Sequence, residues 1–214
     1  MRSVIFDLDG TLADTSADLI AAANACLRSL GREELDPARD AETAFRGGRA
    51  MLRAGGLSED EVEGQYPLLL DRYGAALCVE TRLYPGAMEA VARLSGAGYA
   101  VGICTNKPEA LAEALLVALG VRDAFGALVG ADTLPVRKPD PAPLTEAVRR
   151  LGGDPRRTCL VGDTDTDRHT AAAAGVPSIL VEFGPSGDRV KALLPEATIG
   201  HFDALFDVVK ALDL

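Results

Sequence analysis

The sequence has few of the residues that mark secreted or membrane-spanning proteins. It contains no tryptophan, two histidines and four cysteines among its 214 residues. The cysteines are scattered and form no CxxC pair, so they predict small buried apolar residues in a reducing compartment rather than a disulfide framework. Acidic Asp7 and Asp9 interrupt any signal-like apolar run at the N-terminus, and no stretch of about 18 apolar residues could cross a bilayer. We therefore expect a soluble, cytoplasmic protein.

Positive charge is scarce as well. Lysine and arginine together number 22 against 32 acidic residues, which gives a formal net charge of -10. Nucleic acids and anionic membranes are bound mainly through basic patches, so neither is an expected partner. An anionic substrate would need a metal ion or locally concentrated positive charge. The composition implies no particular oligomeric state, but its hydrophobic fraction of 48% is enough for a sizeable core.

From Tyr84 onward, helical patterns alternate with short, continuous apolar runs typical of buried strands. We predict strands at residues 100–104, 127–129, 159–161 and 178–181, in addition to the apolar run 4–6 at the N-terminus. The predicted helices cover residues 87–95, 109–119, 142–151, 170–174 and 202–212. This alternation predicts an α/β fold with a doubly wound parallel sheet.

The segment between the first strand and Tyr84 has a different character. Helical periodicity covers residues 17–30, 41–54 and 59–77, with no convincing strand between them. We interpret this block as an all-helical insertion. The expected division is a discontinuous core of residues 1–14 and 83–214, and a helical domain of residues 15–82.

Two carboxylates end the first predicted strand. Asp7 and Asp9 stand two positions apart and would share one face of an extended chain, followed by Gly10 and Thr11. Like charges this close favour a bound cation, and a hard cation such as Mg²⁺ takes carboxylate and phosphate oxygens. An acidic surface turn is the simpler alternative.

Polar residues also follow two later strands. Thr105 and Asn106 precede a predicted helix, where hydroxyl and amide groups can bind phosphate or can simply act as N-cap residues. The segment 162–167 contains three aspartates after a buried strand, which indicates either a cation site or a polar helix-capping turn. Between them, Lys138 stands in a proline-containing segment and is either a fixed cation or a solvated surface charge. In open parallel sheets, ligands bind at the carboxyl ends of the strands, where all these residues are expected.

Together these segments resemble the four motifs of the haloacid dehalogenase-type phosphohydrolase superfamily. The first motif is matched by residues 7–11, the second by Thr105, the third by Lys138 and the fourth by residues 162–167. All four occur in the family's order at appropriate separations, across essentially the whole chain. The resemblance implies a Rossmann-like core with a helical cap domain and Mg²⁺-dependent phosphoryl transfer.

The resemblance also implies roles for the acidic residues. Asp7 would attack phosphorus and form an aspartyl-phosphate intermediate. Asp9 would protonate the leaving oxygen and then deprotonate the hydrolytic water. Mg²⁺ would be held by Asp7, the backbone carbonyl of Asp9, and Asp163. Asp167 would support the metal site or Lys138 indirectly. Asp165 matches no fixed family position and is expected to face solvent.

The remaining matched residues would bind the substrate. Thr105, Asn106 and Lys138 would contact the transferring phosphoryl oxygens, and Lys138 would also offset negative charge around Asp7. In the helical insertion, which resembles the family's cap domain, Arg46 and Arg49 flank two glycines and could grip a second anionic group. A helix-breaking loop with solvated arginines is the alternative interpretation.

The segment 138–144 and the size of the helical insertion look most like the phosphoglycolate-phosphatase branch. The expected substrate is therefore a small phosphorylated metabolite, 2-phosphoglycolate, whose phosphate would bind at Lys138 and whose carboxylate would bind at the arginines of the insertion. The second carboxylate of the first motif favours phosphoryl chemistry over dehalogenation. Residues 1–106 contain no lysine, which excludes the Schiff-base chemistry of phosphonoacetaldehyde-cleaving relatives.

Several alternatives share the same motifs or the same fold. Related enzymes with similar cap domains act on sugar phosphates, nucleotides or pyrophosphate, and β-phosphoglucomutase-like enzymes return the phosphoryl group to a sugar. A binding module without catalysis would not need both the nucleophile and the acid, and a receiver-like phosphorylated protein would not need the helical insertion.

Overall fold

The computed structural model describes residues 1–214 and divides into two compact units. The first, here the core unit, consists of Met1–Ala13 and Leu83–Leu214, and the second, the helical unit, is Asp14–Arg82. No helix is both long enough and apolar enough to cross a membrane.

The core unit is built on a six-stranded parallel sheet. The strands of the chain are β1 (Ser3–Phe6), β2 (Ala13–Asp14), β3 (Arg82–Leu83), β4 (Ala100–Cys104), β5 (Ala127–Val129), β6 (Thr158–Gly162), β7 (Ser178–Val181) and β8 (Ala197–Ile199). The order in the sheet is β5-β4-β1-β6-β7-β8, while β2 and β3 pair only with each other. In the register of the central strands, Val4 lies between Val101 and Cys159. The predicted doubly wound parallel sheet is confirmed.

Nine α-helices complete the structure. They are α1 (Ser16–Ser29), α2 (Ala41–Phe45), α3 (Gly48–Ala54), α4 (Glu59–Ala75), α5 (Ala87–Gly96), α6 (Glu109–Ala118), α7 (Ala142–Arg150), α8 (Asp165–Ala174) and α9 (Leu205–Ala211). The first four lie in the helical unit, where α1 packs against the other three. In the core unit, α7 packs on β1, β4 and β5, and α8 packs on β6 and β7.

The central strands of the sheet are buried by helices on both of its faces. Every residue of β1, β6 and β7 is buried, as expected for strands with helices on both faces of the sheet. A cluster that includes Ile5, Val129, Leu144 and Leu160 fills the space between the sheet and helices α7 and α8. This core fixes the carboxyl ends of the central strands relative to one another.

Three sequence expectations were wrong in detail. The segment 41–54 is two helices rather than one, because Gly47 adopts a φ of 92° that a right-handed helix does not contain. Helix α8 begins at Asp165 rather than residue 170, since the Asp167 carboxylate accepts hydrogen bonds from Thr164 and secures the first turn. The C-terminal segment starts as a short 3-10 turn, Phe202–Ala204, before α9. Strand β8 was not predicted at all.

Candidate active site

Three neighbouring strands bring the polar residues of the site to one edge of the sheet. Asp7 follows β1, Thr105 follows β4 and Asp163 follows β6, and these strands are adjacent in the order β4-β1-β6. Because all three run parallel, their carboxyl ends meet at the same edge. The strand order also reverses direction at β1, and such a switch point is where open α/β sheets bind ligands.

Asp7 is a buried carboxylate beside a buried cation. Its Oδ1 accepts a hydrogen bond from the Leu8 amide at 2.7 Å, and its Oδ2 lies 3.0 Å from Lys138 Nζ. Burial raises the pKa of Asp7 to about 7, with Lys138 opposing the shift and the charges of Asp167 and Asp9 adding to it. The carboxylate is therefore held in a fixed orientation in a site with excess negative charge.

Lys138 is the fixed cation that one of the two sequence interpretations required. The side chain is buried, and Nζ donates to Asp167 Oδ1 at 2.7 Å in addition to its contact with Asp7. Burial by itself would lower the pKa of Lys138, but the carboxylates of Asp167 and Asp7 outweigh it and hold the pKa above its usual value. Asn106 Nδ2 donates to the Lys138 carbonyl at 2.9 Å and anchors the loop.

Asp163 has one committed oxygen and one that lacks a partner. Oδ1 accepts a hydrogen bond from the Thr11 hydroxyl at 2.7 Å, whereas Oδ2 is buried and has no hydrogen-bond partner. Burial raises the pKa of Asp163 well above its usual value, and the negative charges of Asp167 and Asp7 add to the effect. Such a buried, unpaired carboxylate oxygen is costly unless a cation binds it or a proton neutralises it.

Asp167 is committed to Lys138 and to the turn before α8. Oδ1 contacts Lys138, while Oδ2 accepts from the backbone amides of Asp163 and Thr164 and from the Thr164 hydroxyl. Burial would raise the pKa of Asp167, but Lys138 and these donors hold it below its usual value. Gly162 permits this packing, because a Cβ there would lie 2.4 Å from Asp167 Cβ. Asp165 is exposed, as expected.

The acidic cluster fits a divalent cation. Oxygen atoms of Asp7, Asp163 and Asp167 lie within 4.8 Å of one another. Together with Asp9, these carboxylates outnumber the two buried lysines, Lys107 and Lys138, by two negative charges when all are ionised. An all-oxygen donor set is the preference of Mg²⁺ and Ca²⁺. With the unpaired Asp163 Oδ2, the residues present can hold such an ion.

The turn that follows β4 is not a helix cap, which was one of the two sequence interpretations of Thr105 and Asn106. Helix α6 begins at Glu109 after Pro108, so neither Thr105 nor Asn106 is its N-cap residue. The buried Thr105 hydroxyl instead accepts a hydrogen bond from the Lys107 amide at 3.2 Å. Thr105 is therefore part of a tight polar turn at the end of β4, beside the strand that carries Asp7.

Sequence reasoning missed two residues of the site. Lys107 Nζ lies 2.8 Å and 3.1 Å from the two carboxylate oxygens of Asp9, and Thr11 orients Asp163. The signal for Lys107 was its position as the first lysine of the chain, directly after a strand end. The signal for Thr11 was its place in the first motif, where only the two aspartates were given roles.

Arg46 and Arg49 lie in the helical unit, and each pairs with a carboxylate of that unit. Arg46 contacts Glu42 at 3.1 Å and is exposed. Arg49 makes two hydrogen bonds to Glu63, at 2.7 Å and 2.9 Å, and stacks over the Tyr66 ring. These side chains are therefore already neutralised within the unit, and their role in substrate binding stays a prediction.

The haloacid dehalogenase-like hydrolase family matches residues 4–181, which include all four motifs. The chain belongs to this family. The predicted superfamily is thereby confirmed, and its match extends through the helical unit as well as the sheet.

Individual relatives indicate which enzymes of the family this chain is similar to. A phosphoglycolate phosphatase of Mesorhizobium japonicum is 42% identical over 208 residues, covering 94% of this chain and 92% of that protein. One of Agrobacterium fabrum is 37% identical over 207 residues, covering 94% and 89%. The crystal structure of a predicted phosphoglycolate phosphatase from Haemophilus somnus 129PT superposes with a TM-score of 0.86 over 97% of both chains, at 25% identity. The family and these relatives confirm the predicted enzyme class, a phosphoric monoester hydrolase.

Proposed function

We propose that this chain is an Mg²⁺-dependent phosphatase that hydrolyses 2-phosphoglycolate through an aspartyl-phosphate intermediate on Asp7. The observation that carries the proposal is the buried Asp7 carboxylate beside Lys138, at the carboxyl end of the central strand. The substrate is suggested by the names of the relatives at 42% and 37% identity. The substrate is thus a small phosphorylated metabolite, and the four free cysteines support a cytoplasmic location.

The metal site of the proposal consists of Asp7, the backbone carbonyl of Asp9, and Asp163. The unpaired Asp163 Oδ2 and the excess negative charge of the cluster support this assignment. A bound Mg²⁺ would supply Lewis-acid stabilisation of the phosphoryl oxygens. Asp167 contributes indirectly, since its oxygens are committed to Lys138 and the α8 turn.

In the first step, an Asp7 oxygen attacks phosphorus and the bond between phosphorus and the glycolate oxygen breaks. The proton that the leaving oxygen acquires comes from Asp9, so glycolate departs with its hydroxyl restored. Lys138 and the Thr105 turn, including Asn106, hold the phosphoryl oxygens while charge shifts among them. Fixed donors of this kind are the main protein contribution to phosphoryl transfer.

In the second step, water attacks the phosphorus of the aspartyl-phosphate. Asp9, now a carboxylate, takes the proton from this water, and the bond between phosphorus and Asp7 breaks. Inorganic phosphate leaves and Asp7 is regenerated as a carboxylate. The same residue therefore acts as general acid and then as general base, returning to its starting protonation state after each turnover.

The proposal extends to the division of the chain. Residues 1–14 and 83–214 form the catalytic core, and residues 15–82 form a cap domain that contributes to substrate choice. Arg46 and Arg49 are the residues of the cap domain assigned to the substrate carboxylate. Arg46 now pairs with Glu42, and Arg49 pairs with Glu63. Each arginine must release its glutamate before it can bind the substrate carboxylate.

The experiment that tests the proposal is phosphate release from a panel of substrates. The panel contains 2-phosphoglycolate, hexose phosphates, nucleoside monophosphates and pyrophosphate, each with Mg²⁺ and with EDTA. Preference for 2-phosphoglycolate, lost with EDTA and in Asp7→Asn, is the expected result. Asp7→Asn keeps the shape of the side chain, so circular dichroism should show an unchanged fold. Preference for another compound, or isomerised β-glucose phosphate without phosphate release, would overturn the substrate assignment.

A further inference from the structure

Lys107 and Asp9 form a buried ion pair, and only Asp9 has a role in the proposed mechanism. The Lys107 side chain is 3% exposed, and its ammonium group contacts both oxygens of Asp9, at 2.8 Å and 3.1 Å. Asp9 is the residue proposed to exchange a proton with the leaving group. A cation therefore lies directly beside the general acid, inside the core unit.

The two buried lysines of the site serve different sides of the substrate. Lys138 is committed to Asp7 and Asp167, on the side of the nucleophile. Lys107 is on the side of Asp9, where the leaving oxygen must be. In 2-phosphoglycolate, a single methylene separates that oxygen from the carboxylate. A group that contacts the general acid is thus within reach of the carboxylate of the departing glycolate.

Lys107 can exchange its present partner for the substrate. Its ammonium group now contacts both oxygens of Asp9. A substrate carboxylate offers Lys107 an equivalent acceptor, and charge-assisted hydrogen bonds between an ammonium and a carboxylate are strong. An uncharged leaving group offers no such exchange.

We propose that Lys107 determines substrate specificity by binding the carboxylate of the leaving group. The inference rests on the proposed function, since it concerns the leaving group of that reaction. It places the recognition of the second anion in the core unit, in addition to the arginines of the cap domain.

The test compares two substrates that differ only in this anion. They are 2-phosphoglycolate and 2-hydroxyethyl phosphate, in which a neutral hydroxymethyl group replaces the carboxylate. Both are assayed with the wild type, Lys107→Met, Lys107→Gln and Lys107→Arg. Lys210→Met, at an exposed position of α9, makes the same chemical change away from the site and serves as the matched control.

We expect Lys107→Met and Lys107→Gln to lower kcat/KM for 2-phosphoglycolate by roughly 10- to 100-fold, the value of a charge-assisted hydrogen bond. The loss with 2-hydroxyethyl phosphate should be several-fold smaller. Lys107→Arg should recover part of the preference for the anionic substrate, and Lys210→Met should keep the wild-type rates. Circular dichroism shows whether each variant is folded. If Lys107→Met or Lys107→Gln has a folding defect, the other neutral variant still tests the inference.

Equal losses on both substrates would overturn the inference, because they would show that Lys107 only holds Asp9 in place. The same conclusion follows if Arg49→Met removes the preference for the anion while Lys107→Met does not. Failure of the proposed function has a different signature. In that case the wild type itself would leave 2-phosphoglycolate intact and release phosphate from another member of the panel.

Discussion

The ammonium group of Lys138 lies 2.7 Å from Asp167 Oδ1, and both side chains are buried. The contact joins the loop before α7 to the first turn of α8. Asp167 thereby sets the position of the Lys138 ammonium group, which also contacts Asp7. Four donors hold this one carboxylate, so its orientation is fixed before substrate arrives.

Asp167→Asn should therefore lower both activity and stability. Breaking a buried ion pair costs ~3–5 kcal/mol, and we expect about 3 kcal/mol because Asp7 still neutralises Lys138. Turnover should fall by at least roughly 10-fold, since Lys138 loses its fixed orientation. Urea unfolding and phosphate release measure the two effects. Asp165→Asn, two positions away and exposed, is the matched control, and a similar loss there would contradict the assignment.

Mg²⁺ should stabilise the protein as well as activate it. In the proposed site the cation would satisfy the unpaired Asp163 Oδ2, and a ligand at 100 times its Kd adds about 2.7 kcal/mol to the free energy of unfolding. Thermal melts with Mg²⁺ and with EDTA should differ for the wild type. The difference should be much smaller for Asp163→Asn and unchanged for Asp132→Asn, at an exposed position. Equal Mg²⁺ responses in Asp163→Asn and wild type would place the metal elsewhere.

Gly162→Ala should disturb the site through packing alone. The added Cβ would lie 2.4 Å from Asp167 Cβ and Cγ, and relieving such overpacking typically costs ~1–3 kcal/mol. Because the displaced residue is Asp167, activity should fall together with stability. Gly96→Ala, at the last residue of α5, is the matched control, since nothing lies within 4 Å of a Cβ there. Chemical unfolding and phosphate release of both variants provide the comparison.

The cysteines should differ in reactivity. Cys26, Cys104 and Cys159 are buried and Cys78 is half-buried. Burial raises the pKa of the Cys104 and Cys159 thiols to about 12, which leaves little thiolate at neutral pH. We expect an aromatic disulfide reagent to label one thiol of the native protein at pH 8, at Cys78, and all four after denaturation. Rapid labelling of Cys104 in the native protein would contradict the packing of β4.

The sheet could be predicted from sequence because its strands are apolar and each ends in a sharp polar turn. Strands β4, β5 and β7 begin and end where the pattern placed them. Strand β8 was missed because three residues with only one fully buried side chain leave almost no pattern. The division of residues 41–54 depended on the backbone conformation of a single glycine, Gly47, which periodicity does not reveal.

In the site, the sequence indicated which residues meet but not how they pair. Asp7, Asp163 and Lys138 converge as the strand ends required. The contact of Asp167 with Lys138 depends on the hydrogen bonds of the α8 turn, which sequence patterns do not reveal. The Lys107–Asp9 contact joins residues 98 positions apart. No local pattern links them, because their proximity results from the pairing of β1 with β4.

The central place of β1 in the sheet has a consequence for how the protein is made. This strand leaves the ribosome before its two neighbours, β4 and β6, which begin only at residues 100 and 158. Until both are synthesised, an apolar strand has unpaired edges on which other chains can add. We therefore expect the nascent chain to be prone to association with other chains during most of its synthesis. A fragment that ends before β6 should aggregate, and since it also lacks Asp163 it cannot assemble the acidic cluster.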